Sequence, residues 1–204
     1  MHISEGVLPA SVLLGGAALT AAGTALGLRR IDWDRVMTVA LLAAAFFVAS
    51  LIHVPVGPVS AHLVLNGLIG VILGWAAFPA ILVALLLQAL LFQFGGLLVL
   101  GVNTFNMALP PVICHYLFRK ALTGTSTPRT GAAFACGFLS VLLSASLTAL
   151  SLGLAGEGFI PAAQSLLIAH LPVMVVEGCI TALVIGFLYK VRPEVLDFSA
   201  QATR

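Results

Sequence analysis

Long apolar runs fill this 204-residue sequence almost from end to end, and short segments between them hold nearly all of its charge. Hydrophobic residues make up 61% of the chain and charged residues only 8%, whereas a soluble domain carries roughly 25% charged residues. A water-soluble fold of this length could not cover so much apolar surface. Lipid is therefore the expected solvent, and the sequence predicts an integral membrane protein.

The apolar runs predict an all-α, polytopic membrane helix bundle with about seven transmembrane helices. A spanning helix needs about 20 mostly apolar residues, and charges, glycines and prolines mark where each run ends. Pro172 is expected to kink the last span. No soluble lobe remains, so residues 1–204 form a single predicted transmembrane domain. The predicted spans are residues 10–28, 36–51, 61–73, 78–94, 103–117, 131–152 and 162–189.

The basic residues predict the orientation of these spans. All nine Lys and Arg residues lie in alternate connections or after the last span, and six spans would spoil this segregation. Because basic loops stay in the cytoplasm, we expect the N-terminus outside, the C-terminus inside, and a multi-pass protein of the bacterial cytoplasmic (inner) membrane. The basic residues are Arg29, Arg30, Arg35, Arg119, Lys120, Arg129, Lys190, Arg192 and Arg204.

Missing motifs exclude several classes of function. The sequence has no block of like charge that would suit nucleic acid, and no GxxxxGK[ST] motif for ATP. It also lacks HExxH, GxSxG and paired intramembrane aspartates, which disfavours a hydrolase. Its cysteines Cys114, Cys136 and Cys179 have no CxxC spacing and are expected to be buried, unpaired residues. We therefore expect a protein that is not an enzyme and holds no organic cofactor.

The first residues can form a metal chelate. No positive segment precedes the first apolar run, as a signal peptide would require, and the large His2 should protect Met1 from removal. A free Met1 α-amine, the His2 amide nitrogen and His2 Nδ1 can then bind one ion through fused five- and six-membered rings. The amide must lose its proton, which Cu²⁺ and Ni²⁺ promote readily, Co²⁺ less so, and Zn²⁺ poorly.

A second imidazole would complete a planar set of four nitrogens, a geometry that suits Ni²⁺ or Cu²⁺. His62 is the best candidate, since it follows the Pro58 turn at the outer start of the third predicted span. His53 is an alternative fourth ligand. Either histidine could instead be an ordinary interfacial or core residue, and the residues alone leave these readings open.

Four segments together resemble one family, the cobalt/nickel substrate-binding M subunits of energy-coupling factor transporters (the CbiM/NikM group). The resemblance covers most of the chain and rests on motifs that occur here in the family's order. These are Met1-His2-Ile3-Ser4-Glu5-Gly6-Val7-Leu8-Pro9; Val59-Ser60-Ala61-His62-Leu63 with Asn66-Gly67; Leu87-Gln88-Ala89-Leu90-Leu91-Phe92; and Gly95-Gly96 through Gly101-Val102-Asn103-Thr104-Phe105-Asn106.

This resemblance implies a subunit that captures Co²⁺ or Ni²⁺ outside the cell, with a slight preference for Co²⁺. The implied ligands are the Met1 amine, the His2 amide and ring, and His62; Asn103, Asn106 and Glu5 would cover or steady the N-terminal segment. The implied partners are a transmembrane T subunit, two cytoplasmic ATPase subunits and a small accessory membrane subunit. A subunit that binds an organic micronutrient such as a vitamin is the alternative.

Several other polar residues lie inside predicted spans. Glu177 could act in transport or pair with a neighbouring helix, and His170 could donate to a backbone carbonyl near Pro172. Gln88 and Asn66 are expected to form hydrogen bonds between helices, and His115 to be interfacial. The first span also carries rows of small residues, which could pack internally or dock the T subunit; they are Ala17, Ala18, Ala21, Ala22 and Ala25.

Overall fold

A computed structural model describes residues 1–56 and 59–196, and for residues 53–56 and 59–61 it describes the backbone only. Within this described part, seven α-helices form one bundle, and short 3₁₀ turns at 33–35, 74–76, 157–159 and 193–196 flank several of them. A short hairpin of two antiparallel strands, β1 (His53–Val56) and β2 (Val59–His62), lies between α2 and α3. The helices are α1 (Ala10–Leu28), α2 (Val36–Ala49), α3 (Asn66–Leu73), α4 (Ala77–Phe92), α5 (Leu100–Leu122), α6 (Ser126–Gly153) and α7 (Ile160–Val191).

The predicted helical bundle is confirmed, whereas the count of seven spanning helices is not. Within the described residues, four helical segments are long and apolar enough to cross a membrane, one of which joins α3 and α4 through the turn at 74–76. They are Ala10–Leu28, Asn66–Phe92, Ser126–Gly153 and Glu157–Val191. Pro172 lies inside α7 without ending it.

The predicted third span is wrong in its first half. Helix α3 begins at Asn66, while the preceding residues 59–62 form β2 and pair with residues 53–56. The β-branched Val54, Val56 and Val59 favour extended backbone, and Leu65 takes a left-handed φ of 55° immediately before α3. The eight residues of α3 rise only about 12 Å, and all of them are buried in the middle of the bundle.

Glycines let α1 pack closely against the bundle. A Cβ added at Gly16 would lie 2.8 Å from the Val102 Cα, and one at Gly101 would lie 2.6 Å from the Ala17 Cα. Such close approach is typical of packed membrane helices. The predicted alanine rows, in contrast, are largely exposed on the outer surface of α1, at Ala18, Ala22 and Ala25 among others.

Contacts define two ends of the bundle. At one end, which we call the site end, His2 bonds Gln88 near the end of α4, and Gln88 bonds Ser50, which follows α2. At the opposite end, the Arg35 guanidinium donates to the Ile72 carbonyl at 3.0 Å. Because α6 runs toward the site end and α7 away from it, the two helices form a long antiparallel pair from one end to the other.

Candidate metal centre

The residues before α1 are folded into the site end of the bundle. Met1 and Ile3 are only 2% and 3% exposed. The Asn103 side chain pairs with the backbone of Ile3 in both directions: Ile3 N–H donates to Asn103 Oδ1 and Asn103 Nδ2 donates to the Ile3 carbonyl, each at 3.0 Å. Two buried hydrogen bonds of this kind fix the path of the first residues.

The segment between α4 and α5 covers the N-terminal residues. Glu5 N–H donates to the Gly95 carbonyl at 3.3 Å, and the Glu5 carboxylate accepts from Leu98 N–H at 3.0 Å. Gly95 has a φ of +77°, and a Cβ there would lie 2.9 Å from the Asn103 amide nitrogen. Only glycine combines that backbone conformation with such close approach. Gly95 therefore allows the segment between α4 and α5 to lie directly over the N-terminal residues.

The Met1 α-amine is in direct contact with His62 Nε2. The His2 ring stacks on the His62 ring, with a centroid separation of 4.9 Å and an interplanar angle of 28°. His62 is only 4% exposed. The structure therefore gathers the three predicted ligand residues in one buried place, although β2 is far from Met1 in sequence.

Neighbouring groups set the tautomers of both histidines. His62 Nδ1 donates to the Leu63 carbonyl at 3.1 Å, which leaves the Nε2 lone pair facing the Met1 amine. His2 Nε2 donates to Gln88 Oε1 at 2.8 Å, and Gln88 in turn donates to Ser50 Oγ at 2.5 Å. The His2 lone pair is thus on Nδ1, the atom that the chelate requires. Such outer partners orient metal-binding imidazoles and raise their basicity.

Burial also keeps the donor nitrogens neutral. Desolvation lowers the pKa of the Met1 amine from 8.0 to about 4. It lowers the pKa of His2 from 6.5 to about 3, with repulsion from the N-terminal charge adding to the effect. At neutral pH these groups therefore present lone pairs rather than protons, as metal ligands must.

Glu177 of α7 holds the backbone that carries His62. Its Oε1 accepts from Val64 N–H at 2.5 Å and from Leu65 N–H at 2.7 Å, and the residue is completely buried. These are the peptide groups between β2 and α3. The carboxylate fixes the turn in which Leu65 adopts its left-handed conformation. It thereby fixes the position of the nearby His62.

Two predicted residues take other places. Asn106 donates to Ser151 Oγ on α6 at 3.1 Å rather than to the N-terminal segment. The side chain of His53 lies outside the described residues, so its role as an alternative ligand stays a prediction. His115 is buried rather than interfacial and bonds the Val71 carbonyl at 3.0 Å.

Side chains alone would not have revealed this centre. The described residues contain no cluster of three or more His, Cys, Asp or Glu side chains placed to hold an ion. The centre instead combines two imidazoles with main-chain nitrogens of the first two residues. Chelate chemistry predicted those donors from the sequence, but sequence reasoning missed the contacts of Ser50, Gln88 and Glu177 with these segments, because that information lies in contacts between distant helices.

We expect Gln88→Leu to weaken metal binding about 10- to 100-fold, which is typical for loss of a partner that orients a metal-binding histidine. Leucine keeps the volume of the side chain but cannot accept the His2 Nε2–H, so the tautomer with the lone pair on Nδ1 loses its support. Titration of Ni²⁺ or Co²⁺ into the purified protein measures the change. Gln93→Leu, in the connection after α4, is the control, and equal affinity in both variants would contradict the role of Gln88.

We expect acid to undock the N-terminal segment of the metal-free protein. The docked pKa values of the Met1 amine and His2 lie below their undocked values of 8.0 and 6.5. The free energy of docking is therefore most favourable above those pH values. As pH falls, it becomes less favourable by about 1.4 kcal/mol per pH unit for each group that takes up a proton only in the undocked state. Hydrogen exchange of residues 1–9, corrected for the intrinsic rate, should lose protection between about pH 8 and about pH 5. Unchanged protection over that range would contradict the burial of neutral donors.

Comparison with known proteins decides the family. A family model described as the cobalt uptake substrate-specific transmembrane region, CbiM, matches residues 2–195. The chain belongs to the CbiM family. The resemblance of its four motifs is thereby confirmed, and the match takes in the hairpin, the segment over the N-terminus and all seven helices.

Individual CbiM relatives agree with this assignment over their whole length. A Haemophilus influenzae protein named for metal transport is 48% identical over 97% of both chains. The cobalt transport protein CbiM of Sorangium cellulosum is 33% identical over 97% of this chain and 95% of its own. A crystal structure of a transition metal transporter is 29% identical and superposes with a TM-score of 0.82, covering 94% of this chain and 93% of the other.

A longer relative extends beyond the region that this chain matches. The fused nickel transport protein NikMN of Rhodobacter capsulatus is 31% identical over 96% of this chain but only 64% of its own length. The CbiM region therefore occurs both as a chain of about this size and as part of a larger polypeptide.

Proposed function

We propose that this protein captures Co²⁺ or Ni²⁺ at the extracytoplasmic face of the membrane and serves as the substrate-binding subunit of an ATP-driven importer. The observation that carries the proposal is the contact of the Met1 amine with His62 Nε2 under a stacked His2 ring. In the proposed complex the amine, the deprotonated His2 amide nitrogen, His2 Nδ1 and His62 Nε2 surround the ion in a plane.

The donor set favours transition metals over the common hard cations. Four nitrogens suit Ni²⁺ and related ions, whereas Mg²⁺ and Ca²⁺ prefer oxygen ligands. Relatives are named for both cobalt and nickel transport, so the proposal includes both ions. We favour Co²⁺ on overall resemblance, although the planar nitrogen set alone would favour Ni²⁺.

The distribution of charge supports the proposed orientation. The metal centre lies at the site end, where the described residues include no Lys or Arg, and Arg35 lies at the opposite end. By the positive-inside rule the basic end faces the cytoplasm. In our proposal the chain crosses the inner membrane seven times, with α3 and the extended residues before it making one crossing together.

Energy for transport must come from other subunits, since the sequence has no ATP-binding motif. We propose a transmembrane T subunit, two cytoplasmic ATPases and a small accessory membrane subunit as partners. The exposed small residues of α1 offer a surface on which another helix can approach closely. ATP hydrolysis would then open the segment at 95–98 and release the N-terminus.

Metal analysis of the purified protein with its native N-terminus tests the function. We expect one equivalent of Co²⁺ or Ni²⁺, bound tightly enough to survive gel filtration, and no retention of Mg²⁺ or Zn²⁺ under the same conditions. A protein that retains no transition metal but binds a vitamin in the same titration would establish the organic alternative and overturn the proposal.

A further inference from the structure

An open groove of about 620 Å³ lies between the start of α6 and the end of α7, at the end of the bundle opposite the metal centre. Along α7 it extends from Lys190 back to Ala182, which is about 12 Å of helix. One leaflet supplies half of a hydrocarbon core that is about 30 Å thick. The groove therefore spans most of the depth of one leaflet.

The outer rim of this groove is basic. Arg129 of α6 and Lys190 of α7 line it, and none of its described lining residues is acidic. Within residues 1–56 and 59–196, neither side chain forms an ion pair. Ser126 and Thr130 of α6 add hydroxyl groups beside the two charges. A rim of this composition attracts an anionic group that can also accept hydrogen bonds.

Tyr189 holds the Arg129 guanidinium at the rim. The guanidinium carbon lies 3.2 Å from the centre of the Tyr189 ring, and Arg129 Nη2 donates to the Gly124 carbonyl at 3.1 Å. Stacking on the ring face uses none of the five N–H donors of arginine. Arg129 Nε has no hydrogen-bond partner among the described residues. The guanidinium is thus fixed in place with donors to spare, and a phosphate group is the anion whose geometry suits such a planar fork.

Below the rim the groove is apolar and open. Leu183 and Phe187 of α7 line it and are 74% and 59% exposed. A Cβ added at Gly186, between them, would meet no atom within 4 Å. No side chain of the described residues therefore fills the groove at this level. An apolar channel beneath a basic rim matches a molecule that joins an anionic head to a hydrocarbon chain.

We propose that this groove binds one anionic phospholipid, with its phosphate on Arg129 and Lys190 and an acyl chain along Gly186 and Phe187. A soluble phosphate compound would use the rim alone and an apolar helix the lower part alone, whereas a phospholipid matches both. The inference goes beyond the proposed function and takes from it only the orientation, in which the basic end faces the cytoplasmic leaflet. Anionic lipids enrich that leaflet, and basic pockets between helices bind their head groups.

Native mass spectrometry of the purified chain with added lipid tests the rim. We expect phosphatidylglycerol to bind at least about tenfold more tightly than phosphatidylethanolamine with the same acyl chains, since each basic side chain contributes about fivefold near an anionic lipid. Arg129→Gln/Lys190→Gln should reduce this preference to within about twofold. Arg29→Gln/Arg30→Gln is the control, because it removes the same charge from exposed positions at the same end of the bundle, and it should keep the preference.

The variant Gly186→Leu tests the apolar part. Leucine would fill the open space, and each methylene group of the acyl chain that it displaces costs about fourfold in affinity, so both lipids should bind at least about fourfold more weakly. Gly15→Leu is the control, since an added Cβ at this exposed glycine of α1 also meets no atom within 4 Å. Inorganic phosphate in large excess should not displace the lipid, because it cannot occupy the apolar part. Displacement by phosphate would show a site for soluble anions and overturn the proposal.

Two further outcomes would overturn the lipid site. Equal binding of the two lipids by the wild-type chain, or an equal loss in Arg29→Gln/Arg30→Gln and Arg129→Gln/Lys190→Gln, would show only a general attraction to the basic end. In the complete transporter the lipid should stay bound to the wild-type chain and be lost from Arg129→Gln/Lys190→Gln. Loss of the lipid on assembly would show that the groove is an interface with another subunit.

Metal affinity separates this inference from the proposed function. The groove lies at the opposite end of the bundle from the metal centre, so Ni²⁺ or Co²⁺ affinity should stay within about twofold of wild type in all four variants, which also shows that they fold. Failure of the lipid measurements with metal binding intact would reject the lipid site and leave metal capture standing. A wild-type chain that binds the lipid but no metal would overturn metal capture and support the lipid site.

Discussion

Two leucines inserted between Met1 and His2 should reduce Co²⁺ or Ni²⁺ affinity roughly 10³-fold or more, because they break the fused five- and six-membered rings that join the Met1 amine to the His2 ring. Leucine is large enough to protect Met1 from removal, as His2 does. His2, two positions later, could not keep its stack on His62 and its bond to Gln88 while the amine still met His62. Metal content and calorimetric titration of the purified variant measure the loss.

The fold should survive this insertion. Residues 1–9 precede α1, and the helices of the bundle pack mainly against one another. The same two leucines added after Arg204 are the control, and that variant should retain full affinity. Circular dichroism and thermal unfolding of the metal-free proteins should match. Retention of the same metal by the inserted variant would exclude the Met1 amine as a ligand.

The candidate ligands could be named from the sequence because chelate chemistry is local. Met1 and His2 are adjacent, so covalent geometry sets the spacing of their donor atoms. That spacing can be predicted without knowledge of the fold. His62 required the additional inference that both segments lie on one side of the membrane, and the structure brings its Nε2 to the Met1 amine. Asn103 also lies where the resemblance implies, whereas Asn106 bonds Ser151 instead.

The predictions that differ from the structure concern α3 and its surroundings. Hydropathy marks residues 61–73 as a span, since Leu63, Val64 and Leu65 are as apolar as the residues of α3 itself. The actual start of the helix depends on the Glu177 carboxylate, which lies more than 100 residues away in sequence and binds the Val64 and Leu65 peptide groups. A hydrogen bond across that separation leaves no periodic pattern, and so no reading of local sequence could have placed it.

Glu177 ties α7 to the backbone beside His62, one of the predicted ligands. A displacement of α7 that keeps these two hydrogen bonds would move the peptide groups of Val64 and Leu65. Such a movement would separate the His62 imidazole from the Met1 amine that it contacts.

Replacement of His62 by alanine should abolish high-affinity binding, with a loss of roughly 10³-fold. The variant leaves the three N-terminal donors but removes the nitrogen that meets the Met1 amine. His53→Ala is the matched comparison, because the two residues are paired across the β-hairpin and the sequence left both open as ligands. We expect His53→Ala to bind within about threefold of wild type, as a residue outside the ligand set should.

The electronic spectrum of the Ni²⁺ complex adds a readout that misfolding alone would not reproduce. Planar nitrogen coordination should give a diamagnetic, coloured species in wild type and in His53→Ala, whereas His62→Ala should give, at high metal concentration, a weaker complex completed by water. If the spectrum changed in His53→Ala and stayed the same in His62→Ala, the fourth ligand would be His53.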